Sequence, residues 1–241
     1  MVSWLLLCWA AVACQSEPPR QAPAAHEAPF VTYRVDPRRQ PLALYWRDEH
    51  QQPLRSLGRL NGWLAGQGQK LVFATNGGMY RAGNVPVGLF IQAGKTLVPL
   101  DTAAGTGNFY LRPNGVFYLT AAGRAAICRT QDFRAAGRIR YATQSGPMLV
   151  IDGQLHPAFR AGSTNLNVRN GVGVLPDGRV VFAMSKQPIS FYDFARYFQH
   201  LGCRQALYLD GFVSRTYLPA QGWRQTDGDF GVIIGVTEPA R

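Results

Sequence analysis

From residue 30 onward the chain is a succession of short apolar runs, most of them ended by Asn-Gly, Asp-Gly or Gly-Pro signals. The run from Leu71, residues 148–151, residues 172–175, residues 180–184 and residues 206–209 are short and apolar on both faces, which predicts buried strands. Pro176-Asp177-Gly178 between two of these runs predicts a hairpin turn, and Asp152-Gly153 closes another run in the same way. Asn61-Gly62, Asn76-Gly77, Asn114-Gly115 and Asp210-Gly211 read as further turn signals. Helical periodicity occurs twice. Residues 54–64 form a possible amphipathic stretch. In residues 190–201, Phe191, Phe194, Ala195 and Phe198 share one helical face, with Ser190 as N-cap and Gly202 as stop.

This pattern predicts an α+β class: a β-rich single domain over residues 30–241, with a few helices packed on a central β-structure. The length of that segment suits a sizeable core. Residues 1–13 differ from the rest. They are uncharged, too short for a permanent bilayer-spanning helix, and end in Ala11-Val12-Ala13 directly before Cys14. This predicts a lipoprotein-type signal peptide, export to the periplasm or cell envelope, and lipidation of Cys14. No Lys or Arg precedes Leu5, which departs from the usual charged start. Residues 15–29, rich in Pro, Ala, Gln and Glu, read as a flexible tether to the membrane.

The formal charge of +11 favours anionic surroundings such as envelope glycans or phosphorylated sugars. The basic residues are scattered and no nucleic-acid motif is present, so no nucleic-acid partner is expected. Only Cys128 and Cys203 fall within the predicted domain, and whether they pair is left open. His26, His50, His156 and His200 lie too far apart for a zinc site, so no metal is expected; a structural Ca²⁺ is left open.

Four strand ends carry candidate chemistry. Asp210 ends an apolar run before Gly211, as either a turn aspartate or a carboxylate poised for reaction. Asn76-Gly77-Gly78 is a hairpin turn or a backbone opened to an anion. Ser145-Gly146-Pro147 makes a sharp bend; it lacks the G-x-S-x-G surroundings of a serine nucleophile. Arg169 before Asn170-Gly171 offers a planar fork for phosphate or carboxylate, or is a surface cation at a hairpin base.

In order, Asn-Gly-Gly-Met-Tyr at 76–80, Val-Gly-Leu-Phe at 87–90, Asn-Gly-Val-Phe-Tyr at 114–118, Gln-Ser-Gly-Pro-Met-Leu at 144–149, Arg-Asn-Gly-Val-Gly at 169–173 and Leu-Tyr-Leu-Asp-Gly at 207–211 resemble the phosphodiester glycosidase family. The resemblance runs from about Val31 to the C-terminus. It implies an α+β domain whose cleft is lined by these loops, and hydrolysis of a glycosyl phosphodiester without a cofactor. Asp210 would be nucleophile or base, and Arg169 would hold phosphate. Asn76, Gly77, Gly78, Ser145, Gly146, Asn170, Gly211 and Ser214 would contact substrate. Where one branch of the family continues with further glycines after Asp-Gly, this chain has Phe212-Val213.

Phosphate is a good leaving group, so such a reaction needs one carboxylate near the anomeric carbon and a cation for the departing charge. The expected partners are a sugar phosphodiester or an anionic envelope glycan. A second reading is a non-catalytic envelope lipoprotein that binds such a glycan with the same fold.

Overall fold

The structure, a computed structural model, describes residues 29–135, 138–210 and 213–240. The segment expected to be a signal peptide, Cys14, almost all of the expected tether, and Gly211 lie outside the described residues.

Three antiparallel sheets dominate. The first is six-stranded, in the order Phe30–Val35, Val180–Ser185, Asn170–Val174, Gln205–Tyr208, Met148–Ile151 and Gln154–Leu155. The second runs Lys95–Val98, Phe90–Gln92, Ile139–Ser145, Gly115–Thr120, Ala125–Arg129. The third runs Trp223–Arg224, Thr216–Leu218, Gln69–Asn76, Ile233–Pro239, Leu42–Tyr45. Only two α-helices are described, α1 (Leu57–Ala65) and α2 (Phe191–His200), so the fold is mostly β with a small helical share.

Double-sided burial explains why the strands read as continuous apolar runs. Along Val180–Ser185, Val180, Phe182 and Met184 enter a central core with Phe73, Phe117, Leu207 and Ile234. Val181 and Ala183 point the other way, onto Phe194 and Phe198 of α2. Each such side chain withdrawn from water contributes about 1.5–3 kcal/mol.

Helix α2 forms as its sequence predicts. Ser190 Oγ accepts a hydrogen bond from Asp193 N at 3.1 Å, and Gly202 leaves the helix at φ 85°. Helix α1 starts later than expected. Arg55 sits at φ 64°, outside helical space, and Ser56 then caps the helix by accepting from Arg59 N. Asn61-Gly62 is not a turn; it lies inside α1. Leu57, Leu60 and Leu64 bury together against Leu71, Ala74 and Ile233, and that packing overrides the local Asn-Gly preference.

The two expected Asp turns are present. Arg179 N donates to Asp177 Oδ1, and Asp152 and Gly153 both have positive φ. Cys128 and Cys203 are both free thiols. Burial raises the Cys128 pKa to about 11 and that of Cys203 to about 12.

Among the described residues, no helix is long and apolar enough to cross a membrane. Nor does any group of three His, Cys, Asp or Glu side chains among them assemble to hold a metal ion.

Candidate active site

Three of the residues expected at the site, Asn76, Asn170 and Ser214, form a buried polar seam where the first and third sheets meet. Asn170 Nδ2 donates to the Asn76 carbonyl at 2.9 Å and to Asn76 Oδ1 and Thr75 Oγ1 at 3.0 Å. Asn76 Nδ2 donates to the Asp210 carbonyl at 2.7 Å, and Asn76 Oδ1 accepts from Arg215 N at 2.9 Å. Ser214 Oγ donates to the Val168 carbonyl at 3.1 Å. These side chains are fully buried, and a buried polar group holds its place through such bonds. They fix the backbone that delivers Asp210, whose own amide donates to the Gly77 carbonyl at 2.9 Å.

Arg169 belongs to the same hidden layer, only 1% exposed. Its Nε donates to the Ile189 carbonyl at 2.8 Å, Nη1 to Tyr208 Oη at 3.2 Å, and Nη2 to the Asn165 carbonyl and Oδ1 at 2.9 and 3.0 Å. The guanidinium also lies over the Phe191 ring, 3.6 Å from its centroid. Burial lowers its pKa, a shift that the Tyr208 hydroxyl opposes. A fork engaged this fully in protein acceptors has little left for a phosphate.

The glycines are likewise filled by protein. A Cβ on Gly77 would lie 2.7 Å from Val232, one on Gly78 2.5 Å from Thr143 Oγ1, and one on Gly146 2.6 Å from Asn114 Cβ. The Gly77 amide is engaged by the Val232 carbonyl. At each of these glycines a close protein neighbour occupies the space that a side chain would need. Ser145 is fully buried, and its Oγ has no hydrogen-bond partner among the described residues.

Asp210 is different. It is 8% exposed and lines a cavity of about 440 Å³ with Arg55, Met79, Tyr80, Arg81, Ala82, Gly83, Asn84 and Asp229. That volume is in the usual range for small-ligand pockets, about 300–1,000 Å³. Tyr80 is half-buried there. Its phenol pKa is raised first by burial and then by the charges of Asp210 and Asp229. Behind the pocket, burial raises the Tyr208 pKa to about 12; Arg169 opposes the shift and the Asp210 charge adds to it. The Asp210 charge is thus felt by two tyrosines, Tyr80 in the cavity lining and Tyr208 in the strand that precedes it.

Sequence reading did not single out Tyr80, Arg81, Arg55, Asn84 or Asp229 as site residues. Tyr80 lies within the Asn-Gly-Gly-Met-Tyr stretch and was open to detection; the other four carry no local signal. A larger cavity of about 730 Å³, bounded by Asp101, Arg112, Arg129 and Ile151, contains none of the expected site residues.

Residues 69–234 match the phosphodiester glycosidase family. The chain is 38% identical over 187 residues to an Escherichia coli K12 protein, YigE, described as uncharacterized, covering 77% of this chain and 73% of that one. Among solved structures it resembles the catalytic domain of zebrafish N-acetylglucosamine-1-phosphodiester alpha-N-acetylglucosaminidase, auto-inhibited by its pro-peptide. The TM-score is 0.59 at 13% identity, over 89% of this chain and 85% of that one. A putative exported protein from Burkholderia pseudomallei gives 0.57 at 12% identity, over 86% and 73% of the two chains. At such identities the structural likeness concerns the fold.

Proposed function

This chain belongs to the phosphodiester glycosidase family, and from that membership and the pocket geometry we propose that it hydrolyses a glycosyl phosphodiester at Asp210. The bond broken joins the anomeric carbon to the phosphate oxygen. Water supplies the replacing hydroxyl, and a free sugar and a phosphomonoester leave. Asp210 acts as nucleophile, or as the base that takes the proton from water. The departing phosphate is a weak base, so the second, proton-donating carboxylate of ordinary glycosidases is less needed. The observation that carries this reading is the position of Asp210: it follows the end of a buried core strand by two residues and lines a small cavity shared with Tyr80 and two arginines.

Arg169 takes a supporting role in this account. It holds the Tyr208 hydroxyl, two residues before Asp210, and so fixes the strand end. Asn76, Asn170 and Ser214 hold the neighbouring backbone. No cofactor enters the reaction.

The proposed setting is the cell envelope. Residues 1–13 serve as an export signal and Cys14 as the lipid-bearing residue, and the +11 charge draws the protein toward anionic glycans. Cys14→Ala should move the protein from the membrane fraction to the soluble fraction. Unchanged membrane association would remove the anchor from the account.

The reaction is tested by phosphomonoester release from a panel of sugar-1-phosphodiesters. Release by the wild type, lost in Asp210→Asn, is the expected result. Binding of the panel without release would make the protein a glycan-binding module of the same fold.

A further inference from the structure

The lining of the Asp210 cavity contains two chemically unlike groups. In the first, Arg55, Asn84 and Asp229 form a hydrogen-bonded clamp. Arg55 Nε donates to Asn84 Oδ1 at 3.0 Å and lies 3.3 Å from Asp229 Oδ1; Asn84 Nδ2 donates to that same Asp229 oxygen at 2.8 Å. The clamp is braced from behind. Trp46 Nε1 donates to the Asn84 carbonyl at 2.7 Å, and Phe230 N donates to the Arg55 carbonyl at 2.6 Å.

Arg55 and Asn84 both have left-handed backbone, φ 64° and 58°, although neither is glycine. Such conformations persist where surrounding structure enforces them, and they cluster at ligand sites. Because the clamp uses Arg55 Nε and Asp229 Oδ1, the Arg55 Nη groups and Asp229 Oδ2 have no protein partner among the described residues. Donors and an acceptor therefore stand side by side on a pair whose charges cancel. A sugar hydroxyl, which both donates and accepts, is the group that satisfies both.

The second is Arg81, which enters the lining from the same hairpin as Asn84. It is exposed and has neither an ion pair nor a side-chain hydrogen bond among the described residues. Its charge is uncancelled and its whole fork is open, which suits a phosphate. Tyr80, in the same lining, feels both Asp210 and Asp229.

We propose that the cavity binds its substrate in one orientation, with the sugar hydroxyls on Arg55 and Asp229 and the phosphate on Arg81. This rests on the glycosyl phosphodiester reading and adds to it the residues that select the sugar and the residue that holds the charge. The anomeric carbon then lies beside Asp210. Asp229 determines sugar specificity, and Arg81 is the phosphate contact that Arg169 cannot supply.

The test uses two probes, α-N-acetylglucosamine 1-phosphate and inorganic phosphate, titrated calorimetrically into the full-length protein and its variants. Arg81→Gln should weaken both probes about tenfold. Asp229→Ala should weaken the sugar phosphate about tenfold while inorganic phosphate binds as before or tighter, since Arg55 is left uncompensated. Asp229→Asn keeps an oxygen for Asn84 and should recover part of the sugar affinity, with melting temperatures checking the fold of each variant.

The proposal is overturned if Asp229→Ala weakens both probes equally, if Arg81→Gln leaves phosphate binding unchanged, or if the wild type binds neither probe at millimolar concentration. Turnover of phosphodiesters is read separately. A binding split without turnover sinks the hydrolase reading and leaves the assignment of Arg81 and Asp229 standing; turnover without the split does the reverse.

Discussion

Arg169 grips Tyr208 just behind Asp210, and Arg81 shares the cavity in front of it. The first has its donors distributed over Asn165, Ile189 and Tyr208 and a phenyl ring against its face. The second has an open fork facing solvent. Both are arginines beside one carboxylate, yet only the second is arranged to meet a ligand. A cation buried among protein acceptors organises a site, whereas a cation with unengaged donors can take a substrate's charge. The same division separates the Asn76–Asn170–Ser214 seam from the Arg55–Asn84–Asp229 clamp.

The comparison is broken most severely at Arg169. Arg169→Met should cost about 3–5 kcal/mol, because the Ile189 and Asn165 carbonyls lose their donors in a dry layer. Arg169→Lys should lose much of that stability as well, since an ammonium cannot span the same acceptors. Chemical denaturation checks both; a fully stable Arg169→Lys with weakened phosphate binding would return Arg169 to the ligand.

Gly78→Ala should cost about 1–3 kcal/mol, because the new methyl meets Thr143 Oγ1 and the Gln144 carbonyl at 2.5 and 2.6 Å. A stable Gly78→Ala that loses only ligand affinity would show a ligand in that space instead.

Alkali should act on the buried layer through Tyr208. Tyr208 titrates near pH 12 in the fold against about 10 when unfolded, so the folded state keeps its proton longer. Stability is therefore full below pH 10 and lost as pH rises toward 12, at up to about 1.4 kcal/mol per pH unit. Denaturation midpoints between pH 9 and 12 should fall less steeply in Tyr208→Phe than in the wild type.

The smallest stability effect belongs to Arg81→Gln, within about 0.5 kcal/mol of wild type. KM for a phosphodiester should nevertheless rise about tenfold. A large loss of stability there would erase the contrast between the two arginines.

This contrast also explains what the sequence could reveal. Strands buried on both faces declare themselves as unbroken apolar runs, so Met148–Ile151 and the strand leading to Asp210 were readable, as was α2 with its Ser190 cap. The start of α1 was not, because no sequence signal announces left-handed backbone at an arginine.

Arg169 was visible as a residue with special chemistry, but its partners Asn165, Ile189 and Tyr208 approach only through sheet pairing and the loop ahead of α2. The clamp was hidden altogether: Asn84 and Asp229 are 145 positions apart, and no spacing rule connects them to Arg55. The motif glycines were visible too, but their neighbours decide their use, and Val232, Thr143 and Asn114 come from distant parts of the chain.

The central claim is that Asp210 performs chemistry rather than closing a turn, and one variant measured in two ways tests it. Asp210→Asn is nearly isosteric and leaves intact the backbone bonds from Asp210 N to Gly77 and from Asn76 to the Asp210 carbonyl. Release of phosphomonoester from a sugar-1-phosphodiester should fall by about 10³ or more while the melting temperature stays within a few degrees of wild type. Full turnover by that variant, or a loss of activity that only tracks unfolding, would contradict the account.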